Sequence, residues 1–171
     1  MKMFNQKSRK FFNSLPVVIL FLLVFTGYDL SFLFYDLNFS FNFIYLIIFF
    51  FVLKSPNSLS YGLVFFAGII NDVVQNFPIG ISSINYLLLC VIASFIRSRM
   101  ILPSLIYDWI LFLIALLIVS SVNYTIITMI FSIPIKYSTL MLSAVITSLI
   151  YPIILKLLNE RTLSLLMRTD D

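Results

Sequence analysis

Apolar runs broken by short polar or charged stretches recur from Phe11 to Leu158. Six runs can be drawn, at about 11–28, 39–53, 59–77, 79–96, 103–131 and 135–158. Most approach the roughly 20 residues that carry a helix across a bilayer. The pattern predicts an all-α polytopic integral membrane protein with about six transmembrane helices. It forms a single membrane domain over 1–171, with a basic tail at 1–10 and a second tail at 159–171. The first run looks like a signal peptide, but no small-residue cleavage site follows it, so an uncleaved first span is expected. Pro103 suits the first turn of a helix, where its missing N–H costs nothing. Pro152 lies inside the last run and is expected to kink it.

Charge fixes the orientation. With the N-terminus in the cytoplasm and six alternating spans, ten of the 11 Lys and Arg residues fall on the cytoplasmic side, and only Lys136 falls outside. The positive-inside rule is thereby met, and both termini are cytoplasmic. Runs one and two are the shortest for their task. The basic residues Lys2 to Lys10 and Lys54 nevertheless want the same side, so an even number of crossings must separate them, with re-entrant pieces the alternative for this region. The outer loops carry Asp29 and Asp36 instead.

Composition narrows the function classes. The chain is 61% hydrophobic and 11% charged, where a soluble domain carries about a quarter charged residues. Membrane lipid is therefore its expected surrounding, in a multi-pass arrangement. The net charge of +4 does not point to nucleic acid, because the cations sit at the edges of apolar runs and form no stripe. With no His and one Cys, an internal disulfide and Cys/His metal sites are excluded. Cys90, inside an apolar run, reads as a small packing residue. Nothing calls for a cofactor.

Against this background the stretch GIINDVVQNFPIG, Gly68 to Gly80, gathers Asn71, Asp72, Gln75 and Asn76 within six residues. Helical spacing puts Gly68, Asn71, Asp72 and Gln75 on one stripe. Ala67 and Gly68 allow another backbone to approach there. Asp72 lies about 20 Å along its helix from Leu59, at 1.5 Å per residue. A carboxylate near mid-membrane costs roughly 2.5–3.5 kcal/mol on insertion scales, so it should face protein or water. No cation shares that depth except Lys136, and without a partner the acid would favour its neutral form. Pro78 and Gly80 make a tight connection to the next span. That span begins with Ser82, Ser83, Asn85 and Tyr86, which sit at the same depth as Asp72. Two readings of this cluster stay open: packing glue between two helices, or a surface that receives a partner.

Enzyme signatures are missing. No His is present for a metalloprotease helix, and neither the Gly-x-Ser-x-Gly elbow nor a Walker sequence occurs. Asp72 and Asp108 could suggest an aspartyl pair of the lipoprotein signal peptidase kind. Val73, however, stands where an Arg would follow the acid, and the topology puts the two acids on opposite sides. A non-enzymatic protein is expected.

Residues 43 to 99 resemble the rod shape-determining MreD family. An apolar run ends in the turn VLKSPNS, then YGLVFFAGIIND reaches the acid, a PIG turn follows at Pro78 to Gly80, and the next span closes on FIRSR. Tyr151-Pro152 and a short basic tail in the last span are also similar. The chain departs at Phe49-Phe50-Phe51, where the family often has a Trp, and at Ile69, where Leu is usual. The resemblance implies a scaffold of the bacterial cell-elongation complex in the cytoplasmic (inner) membrane, working beside an MreC-like bitopic protein. MreB, RodA and its transpeptidase would belong to the same complex. It also implies a fold similar to the ECF-transporter S-component, the substrate-binding membrane subunit of energy-coupling vitamin transporters. The alternative is accordingly a small-solute or lipid-binding membrane subunit of such a transporter. On the scaffold reading the candidate partner-binding or structural patch is Gly68, Asn71, Asp72, Gln75, Asn76, Pro78, Gly80 and Asn85.

Overall fold

The structure, a computed structural model, describes residues 16–25, 30–34, 37–54, 59–99, 105–132 and 136–167. The basic tail at 1–10, the ends of the first run, Asp29 and Asp36, the Ser55-Pro56 turn, Pro103 and the last residues of the C-terminal tail lie outside them. Among the described residues six helices follow in order: α1 (Pro16–Phe25), α2 (Phe43–Lys54), α3 (Tyr61–Gln75), α4 (Ile81–Arg99), α5 (Leu105–Met129) and α6 (Tyr137–Met167). Three are long and apolar enough to cross a membrane: α4, α5 and the Tyr137–Ile154 part of α6. The other three are shorter; α2 has 12 residues and α3 has 15, about 18 and 22 Å at helical rise.

Two boundaries differ from the sequence expectation. The second run was expected to start at 39, but Leu30–Phe34 and Leu37–Phe41 pair as an antiparallel hairpin, β1 and β2, and α2 begins only at Phe43. The cause is visible in LSFLF and LNFSF, where Ser31, Asn38 and Ser40 interrupt the apolar residues at near-alternate positions, a period of two. In register, Phe32 faces Phe39 and Ser31 faces Ser40. The second difference is at the C-terminal end, where α6 continues past 158 to Met167 and runs through Pro152.

α4 lies at the centre, beside α2, α3 and α5, while α6 packs against α5, α2 and β2. α2 is apolar all round and buries eight of its residues, from Ile44 to Leu53, as a helix enclosed by others should. An aromatic trio ties it in. Phe49 of α2, Phe112 of α5 and Tyr151 of α6 are fully buried, with ring centroids 4.5 to 5.9 Å apart. Such pairs add about 0.5–1.5 kcal/mol beyond the area they bury. Tyr45 meets Tyr86 edge-on at 5.5 Å, joining α2 to α4. The outward faces of α3, α4 and α5 expose Phe66, Val91, Phe95 and Ile106, a surface suited to lipid. Cys90 is buried within the core.

α3 and α4 approach closely. A Cβ on Gly68 would run into the backbone of Ser83, 2.6 Å from its nitrogen. Only glycine lets the two helices sit at this separation. A Cβ on Gly62, in the same helix, would meet nothing nearer than Ser60 Oγ at 3.9 Å. Gly68→Ala is therefore expected to destabilise the protein by about 1–3 kcal/mol, the usual cost of overpacking. Gly62→Ala should be neutral or slightly stabilising. Thermal melts of the two variants in the same detergent check the contrast.

Candidate functional site

α3 ends at Asn76, whose φ of 55° is left-handed. The Phe77 N–H donates to Asp72 O at 2.9 Å and the Asn76 N–H to Val73 O at 3.4 Å. This is the paired closure of a Schellman motif, and Asn is one of the few side chains that tolerates the required conformation. Pro78 prevents the helix from resuming. Gly80 then takes a φ of 106°. Open space surrounds its Cβ position, so the backbone conformation, and no steric limit, calls for glycine here.

Gly80 is also the N-cap of α4, since its carbonyl accepts the first helical bond, from the Ile84 N–H at 3.0 Å. An N-cap side chain normally accepts from the next N–H groups, and glycine has none to offer. Asp72 supplies it from the preceding helix. Its Oδ2 accepts from the Gly80 N–H at 2.7 Å, and the Ser82 N–H donates to Oδ1 at 3.0 Å and Oδ2 at 3.3 Å. The negative group also sits at the positive end of the α4 dipole. Asp72 is fully buried, and backbone N–H groups are its partners. The condition under which it would be an unpartnered acid does not arise.

Around this cap the polar side chains link up. Asn71 Nδ2 donates to Ser82 Oγ at 3.0 Å, Gln75 Nε2 to Asn71 Oδ1 at 3.4 Å, and Ser83 Oγ to Phe65 O at 3.0 Å. Asn85 Nδ2 donates to Asn123 Oδ1 on α5 at 2.8 Å. Beside them a cavity of about 300 Å³ opens between α2, α3, α4 and α5. Asn42, Asn71, Gln75, Ser82, Asn85 and Asn123 give it polar walls, with Tyr45, Tyr86 and apolar residues completing it.

The sequence of the chain matches the family described as rod shape-determining protein MreD over residues 8–161. The chain belongs to the MreD family. Membership carries a role in rod shape determination, a structural role in the membrane. Comparison with curated proteins and with solved structures gave no match.

Within this MreD-family chain the eight candidate residues separate into two groups. Gly68, Asp72, Asn76, Pro78 and Gly80 build the α3–α4 turn, whereas Asn71, Gln75 and Asn85 line the cavity. Asn42, Tyr45 and Asn123 also line it and were not among the candidates. Asn123 stands with Ser120, Ser121, Thr125 and Thr128 in the one polar stretch along the second half of α5, which could have marked it; Asn42 sits at the hairpin boundary that the run of apolar residues hid.

A second polar contact lies at the opposite end of the bundle. Lys54, in the last turn of α2, pairs with Asp108, in the first turn of α5, at 2.6 Å. The Asp108 side chain is 1% exposed and that of Lys54 34%. Each charge also complements the dipole of its own helix. Arg97 Nη1 donates to Val52 O at 3.3 Å and so helps close the end of α2. The charge rule places Lys54 and Asp108 on one side but does not pair them.

Two stability predictions follow from these contacts. Asp72→Ala strips the cap from buried N–H groups and is expected to cost about 1–3 kcal/mol, with Asp72→Asn, which keeps one acceptor, losing less. Lys54→Met alone leaves the Asp108 carboxylate buried and unpaired, at about 3–5 kcal/mol. The double variant Lys54→Met/Asp108→Leu should recover most of that loss. Melts of the singles and the double test the coupling; equal losses in the single and double variants would refute it.

Proposed function

We propose that this protein is a non-enzymatic scaffold of the bacterial cell-elongation complex. It supports lateral peptidoglycan synthesis by holding partners together in the inner membrane. The family match over residues 8–161 is the observation that carries this reading. The topology is six crossings with both termini cytoplasmic. In support, Lys54 and Arg97 end α2 and α4 side by side, and α5 starts from the same end through Asp108. The α3–α4 turn then faces the periplasm. Similarity to the S-component fold belongs to the same reading.

The partner is an MreC-like bitopic protein with a large periplasmic part, within a complex that includes MreB, RodA and its transpeptidase. The docking surface on this chain is the tip of the turn. There Asn76 and Phe77 are exposed, and Ile79 is 71% exposed. Asp72 and Gly80 act on that surface indirectly, by fixing the shape of the turn.

Depletion of the protein in rod-shaped cells should give round cells, and wild type should restore rods. Cells that keep their shape on depletion would overturn the reading. A photo-crosslinking residue at Ile79 should capture the bitopic partner, while the same residue at Phe95, also exposed but near the basic end, should not. Ile79→Arg should weaken rescue with an unchanged melting temperature, which separates docking from folding.

A further inference from the structure

The cavity between α2, α3, α4 and α5 is not explained by a docking surface at the turn. Its polar lining is unusual for a membrane bundle. Five carboxamides, Asn42, Asn71, Gln75, Asn85 and Asn123, share it with the Ser82 hydroxyl, and no Lys, Arg, Asp or Glu lines it. The nearby acid, Asp72, has both oxygens engaged by the Gly80 and Ser82 N–H groups. An anion would find no cation there, and a cation no free carboxylate.

Carboxamides offer both donors and acceptors, so the lining matches a group that does the same. One wall already shows an unmet acceptor. Asn85 is 2% exposed, its Nδ2 donates to Asn123, and its Oδ1 has no hydrogen-bond partner. Buried polar atoms are normally satisfied, and an exception calls for an unseen donor. Tyr45 and Tyr86, edge to face, supply ring surface beside it. A volume of about 300 Å³ equals about ten waters at liquid density and lies at the lower end for ligand cavities.

We propose that this cavity binds an uncharged polyhydroxyl group of about the size of one sugar ring, whose hydroxyls exchange hydrogen bonds with the carboxamides that line it. Free sugars and the headgroups of neutral glycolipids share this chemistry. The proposal is independent of the scaffold reading, because its readout is binding and not cell shape or crosslinking.

The test uses the full chain in phosphatidylethanolamine/phosphatidylglycerol nanodiscs. One arm titrates glucose, galactose and myo-inositol; the other varies the content of monoglucosyl diacylglycerol. The melting temperature is followed in both. The expected result is a saturable rise in at least one arm, with the half-saturating concentration raised tenfold or more by Gln75→Ala and Asn85→Ala. Ser98→Ala, exposed at the other end of α4, should leave it unchanged. A response to free sugar identifies a soluble ligand, and a response only to the glycolipid identifies a headgroup. Gln75 is only half-buried, so its variant keeps the test usable if Asn85→Ala does not fold. No saturable response in either arm, or one that both cavity variants leave unaltered, would mean that the cavity holds only water and would overturn the proposal.

Discussion

Where two packed helices meet at a turn, the N–H groups that open the second helix need acceptors, and in this protein one buried carboxylate supplies them. The backbone carbonyl of Asp72 closes α3 while its side chain opens α4. The end of one helix and the start of the next are thus tied to a single residue. The glycine contact at Gly68 then lets the two helices run close together. Because α4 also adjoins α2 and α5, its placement governs most of the bundle. The carboxamides of the cavity wall come together only once α4 is set at this angle.

The two ends of the bundle solve the same problem by different means. At the end that carries the basic residues, Lys54 and Arg97 complete helix termini, and Lys54 in turn neutralises a buried acid. At the other end a lone acid serves backbone N–H groups. In α2 to α5 the charged side chains thus lie in terminal turns, where the dipole of their own helix or of the next one favours them. Ser and Thr side chains within the helices mostly bond to their own preceding turn, as Thr125, Thr128 and Thr147 do.

The helices were legible in the sequence because apolar runs and flanking cations are imposed by the bilayer itself. α3, α4 and α5 each start and end within about three residues of the expected limits. The hairpin was not foreseen. Its residues are as apolar as a span, and length was read ahead of the near period-two pattern of Ser31, Asn38 and Ser40. At the site, the stripe from Gly68 to Gln75 was legible from spacing alone. What Asp72 does there was not, since its partners are backbone groups eight and ten residues further on, which composition cannot reveal. The Lys54–Asp108 pair and the place of Asn42 and Asn123 in the cavity depend on which helices become neighbours, a tertiary fact that no local pattern encodes.

The unequal helix lengths have a consequence for the surrounding lipid. α3 offers about 22 Å of helix along its exposed face and α5, with 25 residues, about 37 Å, whereas the hydrocarbon layer is about 30 Å thick. In the six-crossing arrangement proposed above, lipid tails beside α3 would have to shorten or tilt, while those beside α5 would not, at a cost of fractions of a kcal/mol per Å of mismatch. In that arrangement the protein would thin the bilayer on one flank only, the flank from which the α3–α4 turn projects.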